Sequence, residues 1–222
     1  GSYNLFVNTF KNMGIEVRFS EPNAPQSFQK LTDGRTRAYF GETLPNPRLV
    51  PFPIAEVAEI GRARGIPLIV DNTAAPITCR PIEHGAAVVV HSLTKYIGGH
   101  GNSIGGVIID SGRFDWVGLP QQQPHFNDPD SSYHGAVWGE LVPQALGAPI
   151  AFAVRARVVL LRDLGSALSP TNAFHIIQGL ETLALRFREQ QENARKLADF
   201  LKTHVAVKKV IYPSQFAGEE KQ

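Results

Sequence analysis

The chain has 222 residues, a formal net charge of +2, and 43% hydrophobic and 19% charged residues. A chain of this length and composition can bury a substantial core as a soluble globular protein. Its basic residues are scattered, with only short groups such as Arg35–Arg37, and no apolar run has the length of a membrane span. We therefore expect neither nucleic acid nor a membrane as a partner. The single cysteine, Cys79, excludes an internal disulfide framework and indicates a reducing compartment, so we expect a cytoplasmic location.

The N-terminal part of the chain predicts helices alternating with strands. Apolar residues at helical spacing predict a helix over Tyr3–Met13, and alternation predicts a strand over Ile15–Phe19. A short helix over Ser27–Leu31 and a strand over Arg37–Phe40 follow. The segment Glu42–Pro47 is interrupted by prolines and predicts a loop.

The middle of the chain contains strands that are apolar on both faces. A helix over Ile54–Arg64 precedes the all-apolar strands Pro67–Val70 and Ala86–Val90, which flank a brief turn or helix at Ile82–Gly85, and a further strand is predicted over Gly106–Ile109. Such strands, separated by helices, are typical of a mostly parallel sheet covered by helices on both sides. We therefore predict an α/β fold.

The remaining part of the chain is predicted to be mainly helical. Leu119–Pro129 is rich in Gln, Pro and Asp and predicts a loop, and Ile150–Leu164 predicts a helix. A long helical pattern spans Thr171–Leu201, with a break expected near Gly179, and Val207–Tyr212 predicts a strand.

Polar side chains follow two of the apolar strands. Asp71 comes directly after one of them, and Ser92, Thr94 and Lys95 follow the next. Because ligands of such sheets bind outside the carboxyl ends of the strands, we expect these side chains to share one cleft. An amine for a Schiff base, hydroxyls for a phosphate and a carboxylate for a pyridinium nitrogen are the groups that pyridoxal phosphate (PLP) requires. The sequence therefore predicts a PLP site with Lys95 as the Schiff-base amine.

Asn46, in the proline-rich loop, is a further candidate because its amide could reach the phenolic oxygen of the cofactor. Each candidate has an ordinary alternative when taken alone. Lys95 could be a solvated surface lysine, Asp71 a helix cap or turn residue, and Asn46 a turn residue before proline. The hydroxyls of Ser92 and Thr94 could belong to a polar turn.

A serine hydrolase is a rival interpretation, since Gly101–Gly105 matches the G-x-S-x-G motif with Ser103 at its centre. That motif requires a strand before the serine and a helix after it. Here a glycine-rich loop precedes Ser103 and a predicted strand follows it, so the expected context is reversed.

A metal site is a second rival, because histidines lie near the single cysteine in sequence. No pair among them has a recognised ligand spacing, so we predict no metal site. The residues concerned are Cys79, His84, His91 and His100.

Three segments, Val70–Thr73, Cys79–Gly85 and Val89–Gly101, resemble the Cys/Met-metabolism family of PLP-dependent enzymes. The resemblance extends over nearly the whole chain, and its lysine motif is highly specific. It implies a fold like that of the type I PLP-dependent transferases.

Within this family the chain resembles most the O-acetylhomoserine sulfhydrylase branch. The segments that carry this closer resemblance are Tyr3–Phe6, Gly14–Phe19, Asp130–Gly135, Ser169–Phe174 and Gln178–Thr182. The branch implies γ-replacement on O-acetyl-L-homoserine with sulfide or a thiol, which gives homocysteine or methionine. Related reactions of the family stay open, namely those of cystathionine γ-synthase and of cystathionine and methionine γ-lyases, as does a catalytically incomplete fragment.

The resemblance also implies roles for individual residues. Lys95 would be the Schiff-base lysine, Asp71 the partner of the pyridinium nitrogen, Ser92 and Thr94 phosphate ligands, and Asn46 a neighbour of the phenolic oxygen. The family further implies a homotetramer built as a dimer of dimers.

We expect two parts in the chain. Residues 1–168 would form the central part of the PLP-binding large domain, without its N-terminal arm, and residues 169–222 a linking helix and the start of a smaller C-terminal domain. The resemblance places Gly1 and Ser2 at the end of a Tyr-Gly-Gly-Thr-like segment, and the arginine that holds the substrate carboxylate beyond Gln222. We therefore expect the chain to be a piece of a longer protein.

Overall fold

The computed structural model describes residues 1–21 and 24–213. Within this part of the chain, one sheet contains four strands in the order β1–β2–β3–β4. They are β1 (Tyr39–Glu42), β2 (Leu68–Asp71), β3 (Val88–Ser92) and β4 (Gly106–Asp110). The first three strands are parallel, and β4 pairs antiparallel with β3. The predicted mostly parallel α/β fold is therefore confirmed.

Helices precede, connect and follow these strands. They are α1 (Ser2–Asn4), which continues into a π-helical segment (Leu5–Phe10), α2 (Pro25–Leu31), α3 (Ile54–Arg62), α4 (Pro124–Asn127), α5 (Trp138–Leu146), α6 (Ala151–Arg155), a π-helical segment (Ala156–Leu161), α7 (Arg162–Leu164), α8 (Pro170–Glu181) and α9 (Leu183–Thr203). Short 3₁₀ turns lie at Pro81–His84, Pro120–Gln122 and Ser131–Tyr133.

Successive side chains of a strand point to opposite sides, and both sides of β2 and of the start of β3 are covered. On one face, Val70 and Val89 belong to a buried cluster that includes Val57 of α3. On the other, Val88 belongs to a second buried cluster that includes Trp138 of α5. This two-sided burial explains why Leu68–Val70 of β2 and Val88–Val90 of β3 are apolar throughout.

Three local predictions are wrong. Ile15–Phe19 forms no strand; Arg18 instead donates to Glu16 and Asp33 and to the Leu31 carbonyl, so side chains rather than a strand ladder hold this segment. Leu119–Pro129 contains a 3₁₀ turn and α4 instead of being a plain loop. No strand is found over Val207–Tyr212, and residues 214–222 of the predicted C-terminal part lie outside the described residues.

The predicted break in the long C-terminal helix is confirmed, and it lies at Thr182, between α8 and α9. In the described ranges no single helix is long and apolar enough to cross a bilayer. Only the helical stretches Trp138–Leu146 and Ala151–Leu164 taken together would be long and apolar enough, and they are bent by 106° relative to each other.

Candidate functional site

The carboxyl ends of β1 and β2 are tied together by a buried polar pair. The Thr43 hydroxyl donates to Asn72 Oδ1 at 2.7 Å, and Asn72 Nδ2 donates to the Cys79 carbonyl at 2.9 Å. The Thr43 amide also donates to the Asp71 carbonyl at 3.0 Å. Because Asn72 is only 2% exposed, its bonds form away from solvent and help to fix the backbone at Asp71 and Asn72.

The ends of β2 and β3 are joined through Thr73. The Asp71 Oδ1 atom accepts from the Thr73 amide at 2.8 Å, and the Thr73 hydroxyl accepts from the Ser92 amide at 2.8 Å. The Asp71 carboxylate is thereby held at the end of its strand, next to the beginning of the lysine segment.

Lys95 lies in a compact turn that directly follows β3. Its amide donates to the Ser92 carbonyl at 3.2 Å, and its carbonyl accepts from the Gly99 amide at 2.8 Å. The Gly98 amide donates to the Leu93 carbonyl at 2.8 Å. We call residues 92–99 the lysine turn. The side chain of Lys95 is exposed.

A cleft of about 800 Å³ opens at this edge of the sheet. That volume lies within the range of roughly 300 to 1,000 Å³ found for cofactor and small-molecule sites. The cleft brings together four of the five predicted site residues. Its lining consists of Glu42, Leu44, Asn46, Leu49, Asp71, Thr73, Ala74, Ser92, Lys95, Tyr96, Gly99, Arg186 and Gln190.

Thr94 is the predicted site residue that does not line this cleft. Its hydroxyl accepts from the Gly105 amide at 3.1 Å and donates to the Gly105 carbonyl at 3.3 Å. In this structure Thr94 therefore closes the loop between the lysine turn and β4. Its role as a phosphate ligand stays a prediction.

His91 of β3 is half-buried beside the site. Burial lowers its pKa, while the nearby Asp71 carboxylate and a hydrogen bond with the Asn72 backbone act in the opposite direction. Its Nδ1 atom is buried without a hydrogen-bond partner among the described residues. The neutral imidazole is therefore favoured at neutral pH.

The chemical groups in the cleft fit PLP. Lys95 offers an amine, Ser92 a hydroxyl, Asp71 a carboxylate and Asn46 an amide, all on the wall of one cavity. These are the groups needed for a Schiff base, a phosphate, a pyridinium nitrogen and a phenolic oxygen, respectively.

The sequence interpretation missed three residues that contribute to this site. Thr73 bridges the two strand ends, Tyr96 lines the cleft next to Lys95, and Arg186 enters the cleft from α9. Thr73 and Tyr96 lie within the segments that carry the family resemblance. Arg186 is 91 residues from Lys95 along the chain, and no local pattern connects the two.

The rival interpretations find no support in the geometry. Ser103 lies in a loop followed by β4 rather than by a helix, and it is 8% exposed. Its hydroxyl has no hydrogen-bond partner within the described ranges, so no base activates it there. No group of three or more potential metal ligands of the His, Cys, Asp and Glu types is found in the same part of the chain.

The chain is 47% identical over 218 residues to the O-acetyl-L-homoserine sulfhydrylase of Leptospira meyeri. The alignment covers 96% of this chain and 49% of that protein. The chain is 44% identical over 215 residues to the homocysteine/cysteine synthase of Saccharomyces cerevisiae, and that alignment covers 96% of this chain and 47% of the synthase. The chain thus spans about half the length of these curated relatives.

A solved structure from Campylobacter jejuni, described as an O-acetylhomoserine (thiol)-lyase, matches with a TM-score of 0.88 and 38% identity. The match covers 97% of this chain and 52% of that one, and that protein carries N'-pyridoxyl-lysine-5'-monophosphate.

The family model described as "Cys/Met metabolism PLP-dependent enzyme" matches residues 1–220. The predictions of this family, of its fold and of PLP as the cofactor are therefore confirmed. The chain belongs to the Cys/Met metabolism family of PLP-dependent enzymes.

Proposed function

We propose that the protein carries out PLP-dependent γ-replacement on O-acetyl-L-homoserine, with sulfide or a thiol as the second substrate and homocysteine or methionine as the product. The observation that carries this proposal is the common cleft of Lys95, Asp71, Ser92 and Asn46. The names of the relatives, an O-acetyl-L-homoserine sulfhydrylase and a homocysteine/cysteine synthase, favour this reaction among those of the family.

Lys95 would hold the cofactor through its Nζ atom. When it is not bonded to the cofactor, the same Nζ atom would be a free base that could take the α-proton of the substrate and return protons later. When bound, PLP supplies an electron sink for the electrons of the broken bond. The open cleft beside Lys95 leaves room for an amino acid and for the incoming sulfur nucleophile.

Asp71 would keep a proton on the pyridinium nitrogen. Its carboxylate is oriented by the Thr73 amide at 2.8 Å, and a fixed carboxylate stabilises a cationic ring nitrogen. Ser92, and Thr94 after release from Gly105, would bind the phosphate, and Asn46 would contact the phenolic oxygen.

We also propose a homotetramer and a cytoplasmic location. The tetramer rests on the family resemblance, and the location on the single cysteine, Cys79, which is a free thiol.

The test is to add PLP, reduce with borohydride and map the adduct by peptide mass spectrometry. We expect one dominant adduct on Lys95, its loss in Lys95→Ala, and its retention in the control Lys30→Ala, which removes an exposed lysine of α2. Product analysis with O-acetyl-L-homoserine, with and without sulfide, then identifies the reaction. Labelling scattered over surface lysines would contradict the cofactor site, and ammonia with an oxo acid as the main products would indicate elimination instead of replacement.

A further inference from the structure

Arg186, in the first turns of α9, makes four hydrogen bonds through one guanidinium group. Its Nη1 donates to the Tyr96 carbonyl at 3.0 Å, and its Nη2 donates to the Ile97 carbonyl at 3.2 Å. The same Nη2 donates to the Gly179 carbonyl at 2.7 Å, and Nε donates to the Thr182 hydroxyl at 3.0 Å. One side chain thus connects the lysine turn to the junction between α8 and α9.

The acceptors of Arg186 explain why a guanidinium is placed here. The carbonyls of Tyr96 and Ile97 belong to the two residues that follow Lys95, and that of Gly179 lies in the last turn of α8, where carbonyls lack partners within the helix. Arginine presents five donors in a rigid plane, so it can reach acceptors on two elements at once. The ammonium group of a lysine is a compact point charge and cannot span them.

The helix itself does not account for this arginine. A cation near the start of a helix is disfavoured by the helix dipole, and Arg186 is the fourth residue of α9. Its gain must therefore come from the carbonyls that it binds, two of which lie in the lysine turn.

Two glycines make the space for this contact. A Cβ atom at Gly99, which has a φ of +78°, would stand within 3.0 Å of the Arg186 guanidinium. A Cβ atom at Gly179 would stand equally close to the carbonyl oxygens of Gly98 and Ile97. The backbone of α8, the lysine turn and the guanidinium therefore meet at distances that only glycine permits at both positions.

We propose that Arg186 is a positioning residue for Lys95. It holds the carbonyls of Tyr96 and Ile97 against the junction between α8 and α9, so that the Lys95 amine points into the cleft in a fixed orientation. This inference rests on the proposed role of Lys95 as the cofactor-binding amine. Arg186 itself acts through the turn and performs no proton transfer.

The first test follows the lysine turn with no cofactor present, by hydrogen exchange of the Gly98 and Gly99 amides, which donate to Leu93 and Lys95. We compare Arg186→Lys with Arg188→Lys, a change two residues further along α9, where no hydrogen bond or ion pair of the arginine is found within the described residues. We expect exchange to accelerate about tenfold or more in Arg186→Lys, because charge-assisted hydrogen bonds are lost. The control should match the unsubstituted protein.

The second test measures how fast the adduct on Lys95, trapped with borohydride, forms as a function of PLP concentration. We expect the limiting rate to fall about tenfold in Arg186→Lys, while the half-saturating concentration and the urea midpoint change less. Thr182→Val removes the acceptor of Nε and the 3.4 Å hydrogen bond that the Thr182 hydroxyl donates to the Gly179 carbonyl, but leaves the Arg186 bonds to the lysine turn. It should give a smaller effect of the same kind and serves if the lysine variant does not fold.

Unchanged amide exchange and unchanged Lys95 labelling in Arg186→Lys and in Thr182→Val would overturn the proposal. So would an equal fall in Arg188→Lys, since a general effect of replacing an arginine by lysine on α9 would then be responsible. If the unsubstituted protein forms no adduct on Lys95, the proposed cofactor site itself is contradicted, whereas the exchange measurement still decides whether Arg186 fixes the turn.

Discussion

The sheet region and the helices α8 and α9 bury their apolar side chains to very different extents. Val70 and Val88, in two adjacent strands, are 0% exposed. On the two helices, Phe174, Ile177 and Leu185 are 59%, 58% and 61% exposed. The sheet region is therefore stabilised by its own core, while α8 and α9 gain little from burial of these outer faces.

The few buried contacts of α8 and α9 concentrate near the lysine turn. Gly179 lies against Gly98, and the ring of Phe187 packs edge-on against that of Tyr96 at a centroid distance of 5.2 Å. The candidate site therefore lies where a well-packed sheet meets two helices that contact the turn carrying Lys95. This comparison predicts that substitutions where α8 and α9 contact the lysine turn will change both the free energy of unfolding and the labelling of Lys95 by PLP.

The largest effect should follow from filling the close contact between α8 and the lysine turn. In Gly179→Val, Cβ would stand within 3.0 Å of the Gly98 and Ile97 carbonyl oxygens, so either α8 or the turn must move. We expect a loss of about 3 kcal/mol in the free energy of unfolding and a loss of Lys95 labelling by PLP. Urea unfolding and adduct mapping measure the two effects.

The matched control for this change is Gly34→Val, because nothing lies within 4 Å of a Cβ atom at that position. We expect it to change stability by less than about 0.5 kcal/mol. Equal stability and equal labelling in the two variants would mean that the close contact between α8 and the lysine turn contributes neither to stability nor to the labelling of Lys95.

An effect of intermediate size is expected when the same substitution is made in the sheet core and just after α9, because its cost in stability should differ between the two positions. Val88→Ala removes two methyl groups from a side chain that is 0% exposed, and we expect a cost of about 2 kcal/mol. Val205→Ala makes the same change just after α9, at a side chain that is fully exposed, and we expect a cost below about 0.5 kcal/mol. Urea midpoints compared at equal slopes measure the difference, and similar costs would show that burial does not distinguish the two regions.

The sequence was sufficient to predict the sheet and the position of most candidate residues around one cleft, because both depend on short stretches of chain. Runs apolar on both faces indicate buried parallel strands, and polar residues at their carboxyl ends indicate a shared cleft. Asp71, Ser92 and Lys95 could therefore be proposed from their positions together with the chemistry of their side chains. Ile15–Phe19 shows the limit of this approach, since its alternation is that of a strand but no strand among the described residues pairs with it.

Arg186 could not be predicted from the sequence for a different reason. Its partners are the backbone carbonyls of Tyr96, Ile97 and Gly179, and a carbonyl carries no side-chain signal. The contact also depends on how α9 is oriented relative to a turn about 90 residues away, which is a property of packing. Thr94 illustrates the converse, because the sequence assigns it to the phosphate while the structure pairs it with Gly105.

The smallest predicted effect concerns His91, on the sheet side of the site. Burial lowers its pKa below the ordinary value of 6.5, so the unfolded chain binds this proton more readily than the folded protein does. Its contribution to stability is therefore complete above about pH 6.5 and is lost as the pH falls below that value. The Asp71 carboxylate favours the protonated form and makes the loss smaller.

His91→Asn should flatten this part of the pH dependence, because asparagine does not titrate. Urea midpoints between about pH 8 and about pH 5 measure it, with His125→Asn, at an exposed position, as the control. The other titrating groups are common to all three proteins, so only the difference between the curves reports on His91. A curve for His91→Asn that falls as steeply as that of the unsubstituted protein would show that burial of the imidazole does not contribute to the acid sensitivity of the site. A flatter curve would show that the sheet side of the cleft requires a neutral His91 next to Asp71.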